Sequence, residues 1–459
     1  MRGVNAITFL VWAAPLVVRI QGQTTELQSC LSEAKNMKIS LPTDDSYKNS
    51  SQPYNLRVSP AHGVIVYPNS VDDVSKVVLC AAQNKMAVSA RSGGHSYAGY
   101  ALSGDVVVDL SNLKNISVDS SGVAILQTGN LLGELAQSIW EQGQRALPHG
   151  TCPYVGTGGH ALYGGFGLFS RTAGLLLDRV KAAEVVLANG SIVTASTTSN
   201  EDLFWALRGG GLSFGIVTSW TFDTLAAPAT TVTYVINFAS ALTEDDASQS
   251  FIIWQDFVRT LPNEMSVAVF FTPDGKCQMF TSFEGTYYGS EEQLKSILQA
   301  LTTSLPLNST ISTKTLGWLD GLVESDGNLN TNQPEKADTF YAKSIVTTES
   351  IPDSSVKNWI SYLYTEGLSS NLSWFAQADL YGGAIASISS NATAFVHRNA
   401  FIVYQFYAST SNALPPFPDD GITFVNNMVS AVQPNVIAAY ANYIDPTLTE
   451  TVAIVILRC

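Results

Sequence analysis

The sequence predicts an α+β protein of two domains. Three features carry this. A strand, a helix and a strand follow one another between Gly63 and Ala90. An Asn189-Gly190 turn closes a hairpin further on. Near Leu225-Ala226-Ala227-Pro228 the pattern changes to long strands followed by amphipathic helices, so a boundary is expected at 228.

Taken in order, 24–60 is polar and reads as a short helix near Cys30 followed by a wrapping arm. Gly63-Val64-Ile65-Val66-Tyr67-Pro68 is a compact apolar run ended by proline, hence a strand. Ser70 caps the next helix, with Asp72 and Asp73 in its first turn and Val74, Val77, Val78 and Ala81 at helical spacing. Strands are expected at 86–90, 106–110 and 122–126, and Asn130 is expected to cap a helix running to Gln142. Residues 182–188 and 191–195 form the Asn-Gly hairpin. Residues 203–208 form a short helix, and 214–218 the last strand before the boundary. Beyond it, strands at 231–238, 266–272 and 278–285 and helices at 290–302 and 354–366 predict one sheet covered by helices on a single face.

The chain has 459 residues, 46% hydrophobic and 14% charged. That is enough for two domains with large cores and excludes wholesale disorder. The net charge of −14 disfavours nucleic acid and anionic membrane surfaces, which attract a basic face. A small-molecule substrate and a monomer are expected.

Residues 1–23 read as a signal peptide: Arg2 supplies the positive start, Ile7 to Val18 the apolar segment, and Gly22 a small residue near a cut. The mature protein is therefore expected to be secreted. Six Asn-x-Ser/Thr sequons, at Asn49, Asn115, Asn189, Asn308, Asn371 and Asn391, fit that compartment. Of five cysteines, Cys30 and Cys80 can pair as a disulfide. No Cys/His cluster has zinc spacing, so no metal is expected. Cys152 lies in a Gly-rich polar loop, an odd place for a thiol that only packs.

Ser92-Gly93-Gly94, Gly156-Thr157-Gly158-Gly159 and Gly209-Gly210-Gly211 before Phe214-Gly215 each lie beside a strand. Glycine lets backbone approach a ligand and turn several N–H groups toward phosphate, so a large phosphate-bearing cofactor is expected. A plain role in turns is the simpler reading of each loop alone. Gly156-x-Gly158-x-x-Ala161 also matches the dinucleotide fingerprint loosely, but the segment before it is a poor strand and no clean helix follows.

Arg91-Ser92-Gly93-Gly94-His95-Ser96-Tyr97 resembles the flavin-attachment motif of the berberine-bridge-enzyme-like oxidases, within the vanillyl-alcohol-oxidase superfamily. Gly150-Thr151-Cys152 through Gly167, Asp202 through Gly211, and Phe214-Gly215-Ile216-Val217 are similar to the same family in order and spacing. The resemblance implies a two-part PCMH-type FAD-binding domain over 24–228, with its core at 60–228, and an α+β substrate domain over 229–425. It implies FAD joined through its 8α carbon to His95 and through C6 to Cys152. Arg91, Ser92, Gly93, Gly94, Gly156, Thr157, Gly158, Gly159, Gly215 and Val217 would line the cofactor. Imidazole and thiolate are nucleophiles suited to such bonds.

The implied activity is oxidation of an alcohol or phenolic small molecule, with hydride passing to flavin N5 and O2 as electron acceptor. Such chemistry needs a base for the hydroxyl proton. Tyr443, in Tyr440-Ala441-Asn442-Tyr443-Ile444-Asp445, resembles the family's active-site tyrosine, and Asp379 the acid that activates it in carbohydrate oxidases. Gln377, Gln405 and Tyr97 are candidate substrate contacts. Gln377 and Asp379 also alternate with Ala376 and Ala378 as on any half-buried strand. His160 is expected to be structural or to line the flavin site; His62, His149 and His397 carry no assignment. The substrate is either an oligosaccharide, oxidised at C1 to a lactone, or a fungal polyketide or alkaloid. The terminal run Thr451 to Cys459 resembles nothing in the family. A shortened segment over 426–459 returning toward the flavin is expected, and with it the alternative of a catalytically impaired flavin-binding protein.

Overall fold

The computed structural model describes residues 25–32, 37–59, 63–333, 335–432 and 438–443. The expected signal peptide and the end of the C-terminal segment lie outside them.

The first sheet holds β1 (Lys38–Ser40), β2 (Val64–Tyr67), β3 (Val88–Arg91) and β4 (Val106–Asp109) in the order β1-β2-β4-β3. Both β2 and β3 run parallel to β4, so the predicted strand–helix–strand unit has a later strand inserted at its centre. Its helix spans Val71–Gln83, and the Ser70 hydroxyl accepts from the Asp73 N–H at 3.1 Å. The expected stripe of Val74, Val77, Val78 and Ala81 is buried. Cys30 and Cys80 are disulfide-bonded with Cα atoms 5.8 Å apart, which ties the N-terminal helix to this one.

The second sheet is antiparallel. It holds β5 (Ile116–Val118), β6 (Val123–Gln127), β8 (Val180–Val186), β9 (Ile192–Ser196) and β10 (Ile216–Asp223) in the order β5-β6-β10-β8-β9. The two-residue β7 (Arg145–Ala146) pairs with β11 (Leu225–Ala226) beside it. The hairpin turn places Gly190 at φ +78°, where a side chain would be strained. One expectation is corrected. The helix spans Leu132–Glu141, and Asn130 does not cap it. Its amide instead donates to the Gln127 carbonyl at 2.7 Å, while Glu134 caps the backbone N–H of Leu131 at 2.9 Å.

The third sheet has seven strands: β12 (Thr231–Phe238), β13 (Met265–Pro273), β14 (Met279–Tyr287), β15 (Ser309–Leu316), β16 (Phe340–Thr347), β17 (Ser373–Leu380) and β18 (Ile402–Ser409). They lie in the order β15-β12-β14-β13-β17-β18-β16. Helices Glu244–Phe257, Glu291–Ser304, Asp353–Tyr362 and Asp419–Val432 cover one face. There Val269, Phe271, Ala376, Ala378, Tyr404 and Phe406 pack with Trp254, Leu298, Trp359 and Val425. Because strand side chains alternate, Phe270, Phe375, Gln377 and Gln405 point the other way. Register sets Phe270, Gln377, Gln405 and Ser344 side by side on four adjacent strands.

Two buried arginines join this sheet to the earlier ones. Arg171 donates to the carbonyls of Met265 (2.7 Å), Pro262 (3.2 Å), Leu261 (3.3 Å) and Tyr381. Arg398 grips Asp178 through two bonds of 2.7 and 2.8 Å.

Candidate active site

The site begins where β3 ends. The Arg91 guanidinium binds Asp109 at the end of β4 (2.6 Å) and the Ser50 carbonyl (2.5 Å). Spent on these contacts, it stands behind the cavity wall instead of on it. The chain then turns through Gly94 at φ +77° and presents His95. Ser92 pins the turn: its hydroxyl donates to the Thr128 carbonyl at 2.6 Å and accepts from Gly158 N–H at 3.3 Å.

The second Gly-rich loop touches the first through bare backbone. A Cβ on Gly93 would lie 2.4 Å from the Gly156 nitrogen, and one on Gly156 would lie 2.1 Å from the Gly93 nitrogen. These glycines are therefore required by loop-to-loop contact as well as by any phosphate. Thr157 is fully buried; its hydroxyl spans the carbonyls of Asn130 (3.0 Å) and Thr128 (3.3 Å), so it too positions the loop from behind. The segment carrying Cys152 is held by histidines. The N–H of Gly150 donates to His160 Nε2 at 2.9 Å, and His149 Nδ1 donates to the Gly150 carbonyl at 2.8 Å. Burial lowers the pKa of His160 to about 3, so its ring stays neutral and Nε2 remains an acceptor.

The outcome is that His95 and Cys152, 57 residues apart, meet: Sγ lies 3.8 Å from Nε2. Cys152 is not in a disulfide. Tyr54 stacks on the imidazole at 3.8 Å. Glu335 completes the group, with its carboxylate 3.1 Å from His95 Nε2 and 3.7 Å from Cys152 Sγ. Neither Tyr54 nor Glu335 carries a motif, so sequence reasoning passed over both.

A cavity of about 1650 Å³ opens in front of these loops. Ser92, Gly93, Gly94, Gly156, Gly158, Gly159, Gly215 and Val217 line one side, and the open face of the seven-stranded sheet lines the other. On that face Gln405 donates to the Tyr97 hydroxyl at 3.1 Å, and Gln377 donates to both Asp379 oxygens at 2.9 Å. Tyr443 stacks on Tyr97 with ring centres 5.8 Å apart. Burial raises the Asp379 pKa to about 7, against the opposing pull of Gln377. Burial, then the Asp379 charge, holds the Tyr443 phenol well above its usual value, so it is neutral. Phe375 stacks on Tyr407 at 5.0 Å and extends the wall; the alternation of Phe375, Gln377 and Asp379 was the available sign of it.

The residues fit a large flavin nucleotide. A Cβ on Gly159 would meet nothing within 4 Å, so backbone there faces open space. The Thr128 hydroxyl, at the junction of the loops, is buried without a partner among the described residues. Two nucleophiles stand together in the cavity wall.

Comparison with known proteins agrees. Residues 63–196 match the family described as FAD binding domain. The chain is 34% identical to the chitooligosaccharide oxidase of Gibberella zeae, over 91% of this chain and 86% of the relative. It is 33% identical to the FAD-linked oxidoreductase dpmaF of Metarhizium anisopliae, over 86% and 77%. Among solved structures, the glucooligosaccharide oxidase of Acremonium strictum, with a 6-S-cysteinyl, 8α-N1-histidyl FAD, superposes with a TM-score of 0.87 at 32% identity, covering 94% of this chain and 93% of that one. The chain belongs to the berberine-bridge-enzyme-like FAD-linked oxidases, the family that its motifs resemble. It is an FAD-dependent oxidase with the PCMH-type fold of that family.

Proposed function

We propose that this chain is a secreted oligosaccharide oxidase holding FAD by two covalent bonds, to His95 and Cys152. The meeting of those two nucleophiles in the cavity wall carries the attachment. In this reading 24–228 binds the flavin and 229–425 binds substrate. The six sequon asparagines are all exposed, which supports passage through a glycosylating compartment.

Bound there, FAD supplies a hydride acceptor that O2 re-oxidises. The protein's part is proton handling and orientation. Tyr443 is neutral, so it takes the substrate hydroxyl's proton only as its own proton leaves, and Asp379, balanced near neutrality, receives it. Gln377, Gln405 and Tyr97 orient the hydroxyls, and the stacked Phe375 and Tyr407 present a flat apolar wall suited to a sugar face. A polyketide or alkaloid is the second reading: the stacked Phe375 and Tyr407 would accept a fused aromatic ring as readily as a sugar face.

Acid precipitation tests the attachment. Flavin is expected in the pellet for the native chain, to be retained through one bond in His95→Ala or Cys152→Ala, and to be absent from the double variant. Yellow pellets from the double variant would refute it. Peroxide release, screened across cello-, xylo- and chito-oligosaccharides and phenolic polyketides, then separates the substrates. A protein with covalent flavin that releases none with any of them fits the impaired alternative.

A further inference from the structure

Two nucleophiles that form bonds to carbon must each lose a proton, and one carboxylate lies within reach of both. We propose that Glu335 is the base that installs the cofactor: it fixes the reactive tautomer of His95 and takes the protons released as His95 and Cys152 bond to the flavin. This rests on the bicovalent attachment proposed above.

The geometry is specific. Both Glu335 oxygens approach His95 Nε2, at 3.1 and 3.3 Å. A carboxylate only accepts, so the shared hydrogen sits on Nε2, and the lone pair is left on Nδ1. Bonding through Nδ1 turns the ring into a cation, whose Nε2 proton then has Glu335 as its nearest acceptor. The same carboxylate lies 3.7 Å from Cys152 Sγ. That contact puts an acceptor within reach of the thiol proton, which passes to Glu335 as the sulfur attacks. One carboxylate holds one proton at a time. The Glu335 side chain is 26% exposed, which lets it discharge to solvent between the two bonds.

Atoms and electrons balance. Each bond removes one hydrogen from the protein nucleophile and one from a flavin carbon; the two protons and two electrons leave on O2 as one hydrogen peroxide. Two bonds release two.

The loop bearing Glu335 is tied down for this task. Asp338 N–H donates to the Tyr54 carbonyl at 3.0 Å, and Leu56 N–H donates to the Asp338 carbonyl at 2.7 Å. Tyr54 is the residue stacked on His95. Tyr407 donates to the Asp338 carboxylate at 2.7 Å. The chain three residues beyond Glu335 is thus anchored to the segment that carries Tyr54.

The test uses the full chain, produced flavin-free in a riboflavin-starved host and mixed with FAD in air. Acid-precipitable flavin is followed in time, and the His95 and Cys152 peptides are weighed for the added cofactor. Glu335→Ala and Glu335→Gln are expected to bind FAD but to attach it ~100-fold more slowly or worse, the range of a lost general base. Glu335→Asp is expected to recover attachment, and added formate to accelerate Glu335→Ala, which a merely structural role would not allow. The isosteric Glu335→Gln carries the test alone if Glu335→Ala does not accumulate. Attachment at both residues at the native rate in either variant would overturn the proposal. Native protein without covalent flavin would instead overturn the attachment itself.

Discussion

With Asp379 as the proposed proton acceptor, stability and turnover are expected to depend on pH in opposite directions. Its pKa is raised to about 7 by burial, so between pH ~4 and ~7 the folded state holds a proton that the unfolded chain has lost. Its contribution to stability is present below that window and is lost as pH rises through it. In the proposed mechanism turnover needs the carboxylate as proton acceptor, so kcat/KM is expected to rise toward pH 7. Asp379→Asn should lower kcat/KM by ~10²–10⁴ and abolish that rising limb. A variant that keeps the limb unchanged would assign it to another group. At this scale the sequence announced His95 and Cys152, because their neighbours form motifs. It announced Asp379 and Gln377 only ambiguously, because a half-buried strand shows the same alternation. Glu335 was illegible: it meets His95 across 240 residues, and its Asn-Gln-Pro-Glu-Lys surroundings mark only a loop.

Among elements, local rules worked where local chemistry decided. Ser70 caps its helix and Asn189-Gly190 turns its hairpin as expected, since each acts within a few residues. Asn130 failed because tertiary demand won: its carbonyl is taken by the Thr157 N–H at 3.1 Å, which commits that segment to the Gly-rich loop. The joints between elements were equally hidden. The Arg398–Asp178 pair has side chains only 3% and 4% exposed. Removing either charge leaves the other buried and unpaired, a loss of ~3–5 kcal/mol in analogous pairs. Arg398→Met is therefore expected to move the denaturant midpoint sharply downward, whereas the Arg398→Met, Asp178→Leu double variant should recover much of it. Equal loss in single and double variants would show that packing, not charge, dominates there.

For the whole molecule, the change of pattern near 228, where the seven-stranded sheet takes over from the smaller ones, could be read from periodicity. The cavity could not, because it exists only where the open face of the large sheet meets the loops of the smaller two, and nothing local encodes that meeting. The paired nucleophiles on separate loops give the assembled molecule a further property. A cofactor joined to both His95 and Cys152 is a cross-link in the polypeptide. It closes a loop of 57 residues, lying beside the 50-residue loop closed by Cys30 and Cys80 without overlapping it. By the loop-entropy relation for disulfides, each closure is worth about 4 kcal/mol. Urea titration should therefore find the doubly attached protein more stable than the Cys152→Ala variant bearing flavin on His95 alone, and more so than the lost thiol explains; equal midpoints would deny the cross-link any weight. The ligand would then belong to the covalent architecture of the chain, retained through unfolding and already joining the two loops when the protein refolds.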